Sequence, residues 1–209
     1  MLTVRTFGDS ILDCARYNEH RVDPGRLLVE NDDALFPEFR GRDLSHRGET
    51  RLDHRAVDGS VVDDLPDQVD GLVVDGPSIA LLTIGGNDLL MGLLDDRGPG
   101  IEEFARKLGR FLEALPIRPV LIGTVYDPTF GDDDLNVFGV APAWGRENHR
   151  RINASLAELA KAYGALVDLH RHFLKGRPDW FTRTIEPSLT GASEVRRCFL
   201  EAIEAGGLV

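Results

Sequence analysis

Short apolar runs recur along the chain, and between them lie stretches in which apolar residues return every three or four positions. The runs Thr3–Phe7, about His54–Val57, Ile79–Ile84, Val120–Val125 and Ala165–Leu169 are strand-sized and rich in β-branched or aliphatic residues. Each is bounded by polar or Gly/Pro positions. None alternates cleanly, and near-continuous apolar runs suit strands covered on both faces, as in a parallel sheet. The spacing predicts amphipathic helices over Ile101–Leu115, Arg146–Tyr163 and Ser193–Ile203. The first carries a stripe of Ile101, Phe104, Leu108, Phe111, Leu112 and Leu115. Gly164 marks a helix stop before the last strand, and a further helix is expected through Asp63, Asp64 and Leu65. Strands alternating with helices predict an α/β fold with a doubly wound sheet, whose ligands bind beyond the carboxyl ends of the strands.

Two stretches break this rhythm. Tyr17–Arg51 mixes charges with Pro24, Pro37 and several glycines, and Asp127–Trp144 carries Asp132, Asp133 and Asp134 between Pro128 and Pro142. Both are too long for plain connections; they are either solvated surface or ordered functional loops.

At 209 residues the chain suits one well-buried core, so a single domain over 1–209 is expected. A net charge of −11 repels phosphate backbones and argues against nucleic acid or an anionic membrane as partner. The first residues do not resemble a signal peptide, no apolar stretch is long enough for membrane insertion, and Cys14 and Cys198 fit no metal-ligand spacing. Free thiols in a cytoplasmic protein, with no cofactor and no metal, are the expectation. Nothing in the sequence specifies an oligomeric state.

Chemistry gathers at the expected strand ends. The first strand ends in Gly8-Asp9-Ser10, where a serine would project from the ligand-binding edge. Three turn-favouring residues alone say little. The second strand, however, runs into Asp58-Gly59-Ser60, and the third into Gly85-Gly86-Asn87-Asp88. Together these ends supply a hydroxyl nucleophile and three candidate oxyanion donors: the Ser10 N–H, the Gly59 N–H and the Asn87 side-chain amide. Such donors can each be worth about 2.7–4 kcal/mol.

Gly8-Asp9-Ser10, Gly59 and Gly86-Asn87-Asp88 resemble, in order, the first three sequence blocks of the SGNH or GDSL hydrolases (GDSL-like lipases and esterases). The resemblance implies a three-layer, flavodoxin-like sheet of five parallel strands with helices on both faces. It also implies hydrolysis of a small-molecule ester. Thr124–Pro128 and Ile185–Ser188 resemble a bacterial subgroup of such proteins.

One block departs from the family. Its Asp-x-x-His-Pro pattern aligns with Arg183-Thr184-Ile185-Glu186-Pro187, so Arg183 replaces the aspartate and Glu186 the histidine. Serine needs a base, and the gap of about two pKa units between His and Glu corresponds to about 3 kcal/mol of proton-transfer driving force. A paired Arg183 would lower the Glu186 pKa further, whereas desolvation would raise it. His170 or His172, after the last strand, is the alternative base, and Asp168 the residue to orient it; a surface pair capping the strand end is the other reading. Asp9 and Asp88 are expected to serve turn hydrogen bonds. Two functions follow. In the first, a serine-dependent esterase uses Ser10, Gly59, Asn87 and Glu186. In the second, a degenerate fold binds its ligand without turnover because the Asp–His dyad is gone.

Overall fold

The computed structural model describes residues 1–135 and 139–208. Its centre is a five-stranded parallel sheet in the order β2-β1-β3-β4-β5. The strands are β1 (Leu2–Gly8), β2 (Thr50–His54), β3 (Ser78–Thr83), β4 (Val120–Gly123) and β5 (Gly164–Val167). From β1 the chain crosses to β2 on one side and returns to β3 on the other. The switch point of this α/β sheet therefore falls between β1 and β3.

The near-continuous apolar runs are explained by two cores. Val4, Ile79, Leu81, Leu121 and Val167 point to one face, where α1 (Pro24–Val29) and α6 (Leu189–Gly206) pack. Phe7, Ala80, Leu82, Val120 and Ile122 point to the other, under α3 (Gly100–Ala114) and α4 (Pro142–Tyr163). Each strand alternates between faces, and because both faces are buried the alternation vanishes from the sequence. The helix stripes expected over Ile101–Leu115 and Arg146–Tyr163 face the second core: Phe104, Leu108 and Leu112 from α3 meet Ile152 and Leu156 from α4. Gly164 does end α4, and β5 begins on it. A side chain there would sit 2.2 Å from the Val120 carbonyl oxygen.

Two expectations need correction. The second strand is Thr50–His54, not about His54–Val57. It is an edge strand of mostly polar residues whose partners lie on β1. Asp53 receives the buried Arg5 guanidinium at 3.0 Å, Arg51 donates to Thr3 at 2.9 Å, and His54 meets the Thr6 hydroxyl at 2.8 Å. The apolar pair Ala56-Val57 follows the strand, tied to β1 by the Val57 N–H to the Gly8 carbonyl at 2.9 Å. The helix expected through Asp63–Leu65 is instead a pair of 3₁₀ turns, Val62–Asp64 and Asp67–Val69, on either side of Pro66. Proline has no N–H to carry a helix onward.

Among the described residues no helix is long and apolar enough to cross a membrane. Cys14 and Cys198 are buried free thiols.

Candidate active site

The carboxyl ends of β1 and β3 lie side by side, with Gly8 opposite Thr83. They converge on a cavity of about 130 Å³. Gly8 is required at this point: its φ is +114°, and a Cβ would sit 1.7 Å from the Thr83 carbonyl oxygen. That close approach turns the chain so that Asp9 and Ser10 reach the cavity wall beside Gly86 and Asn87. Ile11, Leu89, Leu94, Val125, Tyr126 and Ile185 make the wall largely apolar, and Asp127, Arg146 and His149 form a polar end.

Three of the four expected site residues meet. Ser10 is 8% exposed and lines the cavity with Asn87. Glu186 comes close enough to the Ser10 hydroxyl for that group to favour the charged carboxylate. It arrives on β7 (Glu186–Pro187), which pairs antiparallel with β6 (Phe181–Thr182). The tight connection holds Arg183 and Thr184 at φ +46° and +78°, a left-handed conformation that costs L-residues of order 1–3 kcal/mol each. That conformation turns Ile185 towards the cavity and Glu186 towards Ser10. The fourth residue, Gly59, is exposed in the turn after β2 at φ +86° and is not in the cavity wall. It is joined to the site through its neighbour, because Asn87 Nδ2 donates to the Ser60 carbonyl at 2.9 Å. Among the described residues, neither the Ser10 nor the Gly59 N–H has a protein acceptor.

Arg183 and Glu186 do not form the ion pair their spacing suggested. The Arg183 guanidinium instead lies over the Tyr17 ring, 5.0 Å from its centroid. Tyr17 in turn donates to Asp58 at 2.7 Å, and Asp58 also pairs with Arg16 at 2.7 Å. Burial therefore dominates, and Glu186 is held above its ordinary 4.5 despite the opposing pull of the Ser10 hydroxyl, Arg16 and Arg183. Its Oε2 is buried without a hydrogen-bond partner among the described residues.

The alternative bases stand elsewhere. His172 Nε2 meets Glu194 of α6 at 2.8 Å, and its ring stacks on Trp180. His170 lies on α5 (Leu169–Phe173) with its ring 4.8 Å from that of His149, and neither His170 nor His172 lines the cavity. Asp168 caps α5 by accepting the Arg171 N–H at 3.0 Å. His149 does line the cavity and contacts the Val125 carbonyl through Nε2 at 2.8 Å. Burial, then the neighbouring His170, lowers the His149 pKa.

The stretch Asp127–Trp144 supplies the polar end, although residues 136–138 lie outside the described residues. Asp127 accepts from Thr129 and Gly131 backbone N–H groups, each at 2.9 Å, and from Arg146, whose Nε also binds Asp133 at 2.9 Å. One further polar residue escaped the sequence reading. Gln68, 7% exposed, accepts the Gly8 N–H at 2.7 Å and donates to the Gly8 carbonyl at 2.9 Å and to Ser60 Oγ at 3.2 Å. It thus clamps the residue before Asp9-Ser10 to the turn that carries Gly59. Asp88 accepts the Val62 N–H, and burial raises its pKa to about 6.

A five-stranded parallel sheet between helix layers, with a serine, an asparagine and a carboxylate at its switch point, defines a protein of the SGNH hydrolase class. The chain belongs to the GDSL-like Lipase/Acylhydrolase family, which matches residues 6–192. Solved structures agree in fold. An acetylxylan esterase from Geobacillus stearothermophilus superposes with TM-score 0.68 at 19% identity, over 96% of this chain and 93% of that one. An α/β hydrolase, LAE5, from the metagenome of Lake Arreo, Spain, gives 0.65 at 24%, over 97% and 94%. A lipase/acylhydrolase from Enterococcus faecalis gives 0.67 at 18%, over 99% and 97%. No curated protein matches the sequence.

Proposed function

We propose that the protein is a serine-dependent esterase in which Ser10 is the nucleophile and Glu186 its base. The observation that carries this reading is the approach of the Glu186 carboxyl to the Ser10 hydroxyl, close enough for the serine to favour its charged form, beside a cavity that Ser10 and Asn87 line together. Glu186 accepts the Ser10 hydroxyl proton as Oγ bonds to the ester carbonyl carbon, and the carbonyl π pair moves onto oxygen. The Ser10 N–H and the Asn87 amide receive that oxyanion. Collapse breaks the bond to the alcohol oxygen, which takes the proton from Glu186. A water then repeats the sequence and frees the acid. Burial makes Glu186 a stronger base than a solvated carboxylate, which recovers part of the driving force lost with histidine. The largely apolar wall suits the hydrocarbon part of an ester.

One observation favours a binding protein without turnover. Glu186 Oε2 has no partner among the described residues, so no third group orients the base as a catalytic aspartate orients histidine. A fluorophosphonate label read by mass spectrometry separates the two. Adduct on Ser10 supports the esterase, and an unlabelled Ser10 in folded protein supports the binder.

A further inference from the structure

Beside Ser10 lies a buried acid to which the esterase reading gives no task. Asp9 is 1% exposed, yet it contributes to the cavity wall. Its Oδ1 accepts from the Thr83 hydroxyl at 2.8 Å and from the Ile11 N–H at 3.2 Å. Its Oδ2 bonds to no group among the described residues, and it lies 3.8 Å from where a Cβ of Gly86 would be. No cation pairs with it among the described residues; the strongest charges acting on it are Asp88, from α2 (Gly86–Leu90), and Glu186, from β7. A carboxylate taken out of water with no counter-charge keeps its proton instead.

We propose that Asp9 is a catalytic residue that works in its protonated form, with its Oδ2–H directed to the Gly86–Asn87 side of the cavity and donating a hydrogen bond to the oxyanion. The proposal rests on the esterase reading. Asp9 keeps its proton throughout: the proton that moves shuttles between Ser10, Glu186 and the leaving alcohol, and Asp9 only strengthens its hydrogen bond as charge develops on the carbonyl oxygen.

The surroundings divide the labour between the two acids. Thr83 and Ile11 hold Oδ1, which leaves Oδ2 to carry the proton. Glu186 has Arg16 and Arg183 nearby to favour its charge, whereas the strongest charges on Asp9 are the like ones of Asp88 and Glu186. Across the cavity, Asp127, Asp132 and Asp133 outnumber Arg146, and His149 is held towards its neutral form. Glu186 therefore ionises first, and each charge disfavours the other, as in any close carboxyl pair. Burial is the main cause that lifts Asp9 to about 7, so the working state, Glu186 charged and Asp9 neutral, occupies a window closing near neutral pH.

The test is the rate at which an alkyl fluorophosphonate modifies Ser10 across pH, in the wild type, Asp9→Asn and Asp9→Ala. Infrared difference spectra of the unlabelled proteins accompany it. The protonated fraction of a group with pKa near 7 falls about fiftyfold between pH 7 and pH 9. The wild-type rate should accordingly drop at least about tenfold there. Asparagine keeps both Oδ1 contacts and places a non-titrating N–H donor at the second position. In Asp9→Asn the ratio of rates at pH 9 and pH 7 should rise about tenfold over the wild-type ratio. Asp9→Ala, which has no donor, should be slower than Asp9→Asn at both. The infrared spectra should show a carboxylic-acid carbonyl band that is lost by pH 9 and is absent from Asp9→Asn. An alkaline decline that persists in Asp9→Asn, or an acid band unchanged by the substitution, overturns the proposal while leaving the esterase reading in place. A Ser10 that stays unlabelled at every pH overturns the esterase reading and Asp9's part in it together, and the infrared band then reports only where the proton resides.

Discussion

Tyr126 donates its hydroxyl to the carbonyl of Ile185 at 2.7 Å. The bond joins the segment after β4 to the residue immediately before Glu186. It does so in a packed setting: the Tyr126 ring stacks on Phe173 and meets Phe181 edge-on. The strained Arg183-Thr184 connection is thus anchored at its far end. Tyr126→Phe keeps the ring packing and removes the anchor. It should cost about 0.5–1.5 kcal/mol in urea unfolding and lower kcat more than it raises KM, because a freed loop misplaces the base and not the substrate. A kcat equal to wild type would show that the ring packing alone holds the loop.

Gln68 offers a sharper test of positioning. It satisfies both backbone groups of Gly8 and also binds Ser60. Gln68→Leu is similar in volume but leaves the Gly8 N–H without a partner in a buried place, while the Gly8 carbonyl keeps the Val57 N–H. A loss of about 1–3 kcal/mol in stability is expected for such a group. Esterase activity should fall as Asp9-Ser10 and the Gly59 turn drift apart. Gln68→Glu, which can accept but at neutral pH cannot donate, should recover little of either.

Asn87 tests the oxyanion site. One of its amide hydrogens is engaged by the Ser60 carbonyl, which fixes the side chain and leaves the other free. Asn87→Ala should lower kcat by roughly 10²–10³ with a smaller change in KM. Steady-state kinetics on simple esters decide it, and an unchanged kcat would reduce Asn87 to a turn residue.

How much of this was legible in the sequence depends on the kind of signal each residue leaves. Strand ends are readable, so Ser10 and Asn87 could be placed at one edge from the apolar runs that precede them. The edge strand was misplaced because Thr50–His54 derives its stability from polar partners on β1, such as Asp53 to Arg5, and carries no apolar run. Glu186 was found through the family pattern at its position, not through its chemistry. Gln68 left no trace at all, and nothing in the sequence tied Tyr17 to Asp58. A lone polar residue in a turn looks the same whether it faces water or clamps a backbone, and only the tertiary contact tells them apart. The Arg183–Glu186 pair shows the converse: spacing suggested a partner that the left-handed turn directs away, onto Tyr17.

Glu186 should be read through pH. A base must be ionised, and burial holds Glu186 above 4.5. The acid limb of kcat/KM should therefore lie above the ordinary glutamate range and vanish, with most of the turnover, in Glu186→Gln. Replacing His170 and His172 with Gln together should leave that limb in place, since neither lines the cavity. A limb near 6.5 that disappears with the histidines would reassign the base.

Asp9 makes a prediction that needs no substrate. Its pKa is about 7 in the folded protein against 3.8 for the ordinary group. Between these two values the native state holds a proton that the unfolded chain has released, so stability falls as pH rises through that window. Below about pH 4 both states are protonated and Asp9 contributes nothing to the pH dependence. Above about 7 the native carboxylate is charged in a buried site, and the penalty is complete. At 1.36 kcal/mol per pKa unit it reaches roughly 4 kcal/mol at most. Asp88, raised to about 6 by burial, adds to the decline in the wild type, so the difference between variants isolates Asp9. Asp9→Asn cannot take up the charge. It should match the wild type near pH 4, gain on it steadily to pH 7, and stay more stable by a few kcal/mol from pH 7 to 9 in urea titrations. A difference independent of pH would mean that Asp9 is already ionised in the acid range, with a cation or water supplying what the cavity wall does not.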